Sequence, residues 1–154
     1  MSATASGSAA RWRPVPELAE MDNTERILRE FRSIAVVGLS RDPSKAAHAI
    51  PARMQRAGFR IIPVNPSVDS LLGERSYARL IDVPFTVEVV LVFRPSAEAA
   101  AVAKDAVAIG AKALWLQQGI VSEEARRLAE AAGMLYVEDR CMGVERAVHG
   151  IVKG

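Results

Sequence analysis

Apolar residues fall in short bursts along this chain, and each burst closes on glycine, proline or a polar turn. Ile34-Ala35-Val36-Val37 runs into Gly38, and Arg60-Ile61-Ile62-Pro63-Val64 runs into Asn65-Pro66. Val87–Phe93 leads to Arg94-Pro95, Ala113–Leu116 to Gln117, and Leu135–Val137 to Glu138-Asp139. Runs this short, without strict alternation, mark strands buried on both faces of a parallel sheet. Pro63 has no backbone donor, which suits the end of a strand or a sheet edge better than mid-ladder.

Helical signals separate the bursts. Asp22 or Asn23 can cap a helix to about Arg32, with Ile27, Leu28 and Phe31 on its apolar face. Ser44 is placed to cap a helix to about Ala57, stopped by Gly58, and Pro51 inside it predicts a kink or break. Leu71-Leu72-Gly73 reads as a short helical turn and Ser76–Ile81 as a brief helix. Ala97–Ile109 forms another helix before Gly110. Ser122 followed by Glu123 and Glu124 opens a further helix that ends near Gly133, although Ala125 stands where a capping box needs Glu or Gln. A last helix begins after Gly143.

Strand and helix thus alternate from Ile34 onward, which implies an α/β fold: a Rossmann-like, doubly wound, parallel five-stranded sheet with helices on both faces. The expected strand order, counted along the chain, is 3-2-1-4-5. Residues 17–154 read as one domain, and 1–16 (MSATASGSAARWRPVP) as a disordered tail of small and polar residues.

Composition narrows the function. The 154 residues are half hydrophobic and a quarter charged, a globular balance, and the formal charge is only +2. A chain so near neutrality, with few aromatics, lacks the basic face and stacking platforms of nucleic-acid binders. A single cysteine, Cys141, excludes an internal disulfide, and with two histidines the set is too small for a closed zinc site. Apolar runs stop well short of bilayer-spanning length, and no secretory pattern opens the chain. A cytoplasmic, membrane-free protein is the expectation.

In open α/β sheets the ligand lies beyond the carboxyl ends of the strands. That rule selects Gly38–Lys45, Val64–Ser67, Phe93–Ser96, Gln117–Gly119 and Asp139–Gly143. The first loop, Gly38-Leu39-Ser40-Arg41-Asp42-Pro43-Ser44-Lys45, joins a strand to a helix whose first amides favour phosphate oxygens. Ser40, Arg41, Ser44 and Lys45 could add hydrogen bonds and charge; otherwise Gly38 merely ends a strand and Ser44 merely caps a helix. The loop is not G-x-G-x-x-G, because Ser40 and Pro43 replace the second and third glycines. It is not a P-loop either, because Pro43 precedes Ser44-Lys45 where Gly is required. After the second strand stands Val64-Asn65-Pro66, with no acid to hold the ribose diol of NAD.

At these residues the chain resembles the CoA-binding domain family, which includes small stand-alone proteins and the amino-terminal half of the succinyl-CoA synthetase alpha subunit. The matching stretches are Ala35–Ser40, Gly58–Pro66, Gly110–Gln117 and Asp139–Met142, and the likeness runs from about Ile27 to Glu145. The resemblance implies coenzyme A as ligand. The loop Ser40-Arg41-Asp42-Pro43 should meet phosphate through its backbone, while Val64, Asn65 and Pro66 border the nucleotide end. Phe93, Arg94 and Pro95 should form the other wall, and Gln118 and Gly119 should lie nearer the pantetheine arm. Arg41, Lys45 and Arg94 suit the 3′-phosphate and diphosphate as charge partners. Neither His48 nor His149 matches the phosphorylated histidine of the synthetase, and Arg146 stands where stand-alone relatives often carry histidine.

Single residues offer no clear chemistry. Cys141 is expected to be a small buried residue rather than a reactive thiol, His48 and His149 surface or core filler, and Trp115 core. Glu138 and Asp139 are adjacent on a strand end and so face opposite ways, a poor acid/base pair. The expectation is a CoA-binding protein without catalysis: a sensor, carrier or partner subunit for CoA or acyl-CoA. An NAD(P)-binding or acyl-CoA-handling enzyme of the same fold is the alternative, and an interaction protein with a vestigial site is a third reading. A homodimer through the terminal helices or another protein partner is left open.

Overall fold

The fold is taken from a computed structural model that describes residues 22–154. The tail expected at 1–16 lies outside the described residues. Helix α1 (Asn23–Glu30) is capped by Asp22, whose carboxylate accepts from the amides of Thr24 and Glu25. There follow β1 (Ser33–Val37), α2 (Ala46–Arg56), β2 (Arg60–Val64), a hairpin of β3 (Ser70–Leu71) and β4 (Glu74–Arg75), and a 3-10 turn at Leu80–Asp82. Then come β5 (Val89–Val92), α3 (Ser96–Ala108), β6 (Ala113–Leu116), α4 (Glu123–Ala131), β7 (Leu135–Val137) and α5 (Met142–His149).

Among the described residues, β2, β1, β5, β6 and β7 form a five-stranded sheet in that order, and each pairing is parallel. Successive strand residues point to opposite faces. Ile34, Val36, Ile61, Leu91 and Trp115 pack on one side with Leu28 of α1, Met54 of α2 and Met142 of α5. Ala35, Ile62, Val90, Val92 and Leu114 pack on the other with Ala99 and Ala103 of α3 and Ala125 and Ala129 of α4. The sheet is therefore doubly wound, as the alternation of strand and helix implies.

One placement in the expected order 3-2-1-4-5 is corrected. Counted along the chain, the five strands lie in the order 2-1-3-4-5, with β5 beside β1 and β2 at the edge. Two features explain it. All four residues of β5 are buried, which demands an interior place. Pro63 cannot donate to an outer neighbour; its carbonyl accepts instead from Tyr77 (3.0 Å), and an isolated bridge between Val64 and Tyr77 closes that edge. The sequence already held this clue, since an order with β2 inside would have put Pro63 mid-sheet.

Three smaller expectations are also corrected. Leu72 and Gly73 both have positive φ (54° and 75°), the geometry of a two-residue hairpin turn, so the segment is β3–β4 and not a helical turn. Ser76–Ile81 is not a helix; Tyr77 is drawn to the edge of β2 and only Leu80–Asp82 coils. Ser44 does not cap α2, because its amide and hydroxyl both donate to Asp42 Oδ1 (3.0 and 2.7 Å), and Lys45 takes the cap position. Helix α2 runs through Pro51 without a break. No helix among the described residues is long and apolar enough to cross a membrane.

Candidate functional site

Helix α2 leaves β1 on one face of the sheet, and α3 leaves β5, the next strand, on the other. Between β1 and β5 the loops diverge, and a crevice opens beyond their carboxyl ends. The structure has a cleft of about 710 Å³ there. Its floor and one wall come from the ends of β1 and β2 (Val37, Gly38, Leu39, Ser40, Val64, Asn65, Pro66, Ser67) and the start of α2 (Lys45, Ala47). The facing wall is Phe93, Arg94 and one side of α3: Glu98, Ala101, Val102 and Asp105.

The two walls meet at Gly38. Its φ is +95°, and a Cβ there would lie 2.9 Å from both the Phe93 carbonyl oxygen and Arg94 Cδ. Only glycine lets the end of β1 pass the end of β5 this closely. Asn65 ties the second loop to the first: its Nδ2 donates to the Leu39 carbonyl (2.9 Å), while its Oδ1 accepts from the Ser67 amide (2.8 Å).

Of the residues singled out in the sequence, Gly38, Ser40, Lys45, Val64, Asn65, Pro66, Phe93 and Arg94 all line this cleft. Arg41, Asp42 and Pro43 sit exposed on the crest of the first loop, outside the lining. Pro95 is exposed at the cap position of α3. Gln118 and Gly119 are exposed on the loop after β6, also outside it. There the Gly119 amide donates to Asp139 Oδ1 (2.7 Å), which joins the loops after β6 and β7. The α3 wall escaped sequence reasoning, which looked only at strand ends. Its signal was the helical spacing of Glu98, Ala101, Val102 and Asp105.

The backbone of the first loop is largely committed. The Ser40 amide donates to Ala47 O (3.0 Å), the Asp42 amide to Ser40 Oγ (3.0 Å) and the Lys45 amide to Asp42 O (3.0 Å). The hydrogen bonds from Ser44 hold the Asp42 carboxyl below its ordinary range, the hydroxyl contributing most. The amides of Leu39, Arg41, Ala46 and Ala47 have no partner among the described residues, and Leu39 and Ala47 line the cleft. These are the amide donors that the loop leaves uncommitted. Arg94 is bound to Glu98, whose carboxyl its hydrogen bonds hold below the usual range.

The remaining candidates lie elsewhere. Cys141 is half-buried against the core at the start of α5. Trp115 is buried, with Nε1 donating to Arg140 O (2.8 Å). His149 lies 3.7 Å from carboxylate oxygens of Glu25 and Glu145. Glu138 accepts from Tyr136 Oη (2.9 Å) and faces Arg126 (3.3 Å), while Asp139 turns to Gly119. Burial, reinforced by Glu138, pushes the Tyr136 phenol well above its ordinary range.

Fold and cleft together define a doubly wound domain with a crevice at the β1/β5 switch point. Residues 32–147 match the model of the CoA binding domain, and the chain belongs to that family. It is 38% identical over 133 residues to the uncharacterized protein YneT of Bacillus subtilis, covering 86% of this chain and 96% of that one. It is 30% identical over 121 residues to an ADP-forming acetate–CoA ligase (II) of Archaeoglobus fulgidus, covering 75% of this chain but 18% of the ligase. A solved structure from Thermus thermophilus superposes with a TM-score of 0.78 at 34% identity, covering 83% of this chain and 98% of that one.

Proposed function

We propose that this chain binds coenzyme A, or an acyl-CoA, in the β1/β5 cleft and carries out no chemistry on it. One observation carries the reading: the whole cleft lining, Val37 to Asp105, lies inside the segment that matches the CoA binding domain. The nucleotide end would lie against Asn65 and Pro66, with phosphate at the amides of Arg41, Ala46 and Ala47 and at Lys45. Asn65 in place of an acid after β2 favours CoA over NAD. Gln118 and Gly119 would be reached by the pantetheine arm as it leaves the cleft. The candidate reactive groups support a binding role, since His48, His149, Glu138 and Asp139 are each engaged by other groups of the fold. On this reading the protein is a cytoplasmic sensor, carrier or partner subunit.

Thermal denaturation with CoA, desulfo-CoA, NAD and ADP tests it. CoA and desulfo-CoA should raise the melting temperature at concentrations where NAD leaves it unchanged, because a ligand that binds only the folded state stabilises it by mass action. Incubation of acetyl-CoA with ADP and phosphate should release no free CoA. Stabilisation by NAD alone, or thioester turnover, would replace this reading with an enzymatic one.

A further inference from the structure

Helix α2 carries Pro51 in its interior, where proline costs helix stability and supplies no amide. The carbonyl that a residue-51 amide would have bonded is that of Ala47. This oxygen accepts instead from the Ser40 amide in the cleft loop, at 3.0 Å. One residue along the helix, His48 Nδ1 lies 2.7 Å from the Ser40 carbonyl oxygen. A carbonyl only accepts, so Nδ1 carries the hydrogen. The Asp42 amide donates to Ser40 Oγ, which leaves the hydroxyl proton free to be donated into the cleft. Ser40 is thus held at its N–H, its C=O and its side-chain oxygen before any ligand arrives.

We infer that Pro51 and His48 are positioning residues: the proline gap in α2 and the imidazole beside it fix the Ser40 peptide so that its hydroxyl and the neighbouring free amides face a ligand phosphate. The inference rests on the CoA reading above and adds to it the device that prepares the loop. Holding the loop in place beforehand removes an ordering cost from binding.

Two readouts test it: the CoA dissociation constant, and amide hydrogen exchange at Ser40 in the ligand-free protein. Pro51→Ala restores an amide that competes for Ala47 O, and His48→Ala removes the donor to Ser40 O. Each should weaken CoA binding by about three- to tenfold, the range of one net hydrogen bond, and speed Ser40 exchange. His48→Asn, whose side-chain NH2 can stand where Nδ1–H stood, should return both readouts to within about twofold of the native protein. Native affinity and native exchange in Pro51→Ala and His48→Ala would overturn the inference, as would His48→Asn behaving like His48→Ala. If Pro51→Ala fails to fold, the histidine pair decides. If the native protein binds no CoA, the CoA reading falls, while Ser40 exchange still judges the loop.

Discussion

Arg94 and Glu98 meet as a two-pronged pair on the cleft wall, with Nε 2.9 Å from Oε1 and Nη2 3.0 Å from Oε2. Both side chains are about half exposed, at 46% and 48%, so solvent screens the pair and its worth to stability is small. Its meaning is for the ligand. An arginine already matched to a carboxylate must be shared or released before it can pair with phosphate. Arg94→Ala should weaken CoA binding by roughly 1–3 kcal/mol if the guanidinium reaches a phosphate. Glu98→Gln should tighten binding about two- to fivefold, because the competing charge is gone. Calorimetric titration of both variants checks this, and weaker binding in Glu98→Gln would show that the carboxylate helps rather than competes.

Acid should test the first loop. Asp42 holds Ser44 by two hydrogen bonds, and these depress its carboxyl below the ordinary 3.8. A carboxyl with a depressed folded value stabilises the native state above its unfolded value, and that contribution is lost as pH falls through the folded one. The loop should therefore keep its conformation down to pH 3.8 and release Ser44 only below it. Carbon-13 titration of the Asp42 carboxyl reads this directly; a midpoint at or above the ordinary value would contradict the loop geometry.

Two glycines separate binding from stability. Gly38→Ala forces a Cβ against Phe93 O at 2.9 Å in a left-handed conformation at the cleft floor. It should cost about 1–3 kcal/mol in denaturant unfolding and abolish or sharply weaken CoA binding. Gly58→Ala drives a Cβ to 2.0 Å from the Lys153 carbonyl oxygen, beneath the carboxyl-terminal segment. It should destabilise at least as much yet leave the affinity of the folded protein for CoA unchanged. Equal effects on binding would mean that CoA does not bind where β1 and β5 diverge.

Gln117 offers a core test. It is 5% exposed, and its Oε1 accepts from the Met142 amide (3.2 Å), linking the end of β6 to the start of α5. Gln117→Leu leaves a buried amide unpaired and should cost about 1–3 kcal/mol, measured by urea unfolding. A neutral result would mean that another acceptor or water takes the amide.

Periodicity and turn residues made most of the fold legible. The burst at Ile34–Val37 lies within β1, Asp22 caps α1, and Ser122 caps α4 through the Ala125 amide (3.1 Å). What stayed hidden depends on distant contacts. The connection from Asn65 to Glu88 contains no full helix, so no periodic stripe says on which side of β1 the next strand lands; only Pro63 hints at it. The left-handed residue Leu72 defeats a propensity rule that expects Asn or Asp at such a turn. In the cleft, strand-end loops gave Gly38, Ser40, Asn65 and Arg94, but the α3 wall needed the sheet order first. His48 read as filler because its role is a hydrogen bond to a backbone eight residues away.

The central claim is that the β1/β5 cleft is a coenzyme A site. Isothermal titration of the purified chain with CoA, repeated with Gly38→Ala, tests it most directly. The account predicts saturable binding near one CoA per chain, lost or sharply reduced in the variant. No heat from CoA at millimolar concentration, or full binding by Gly38→Ala, would contradict it.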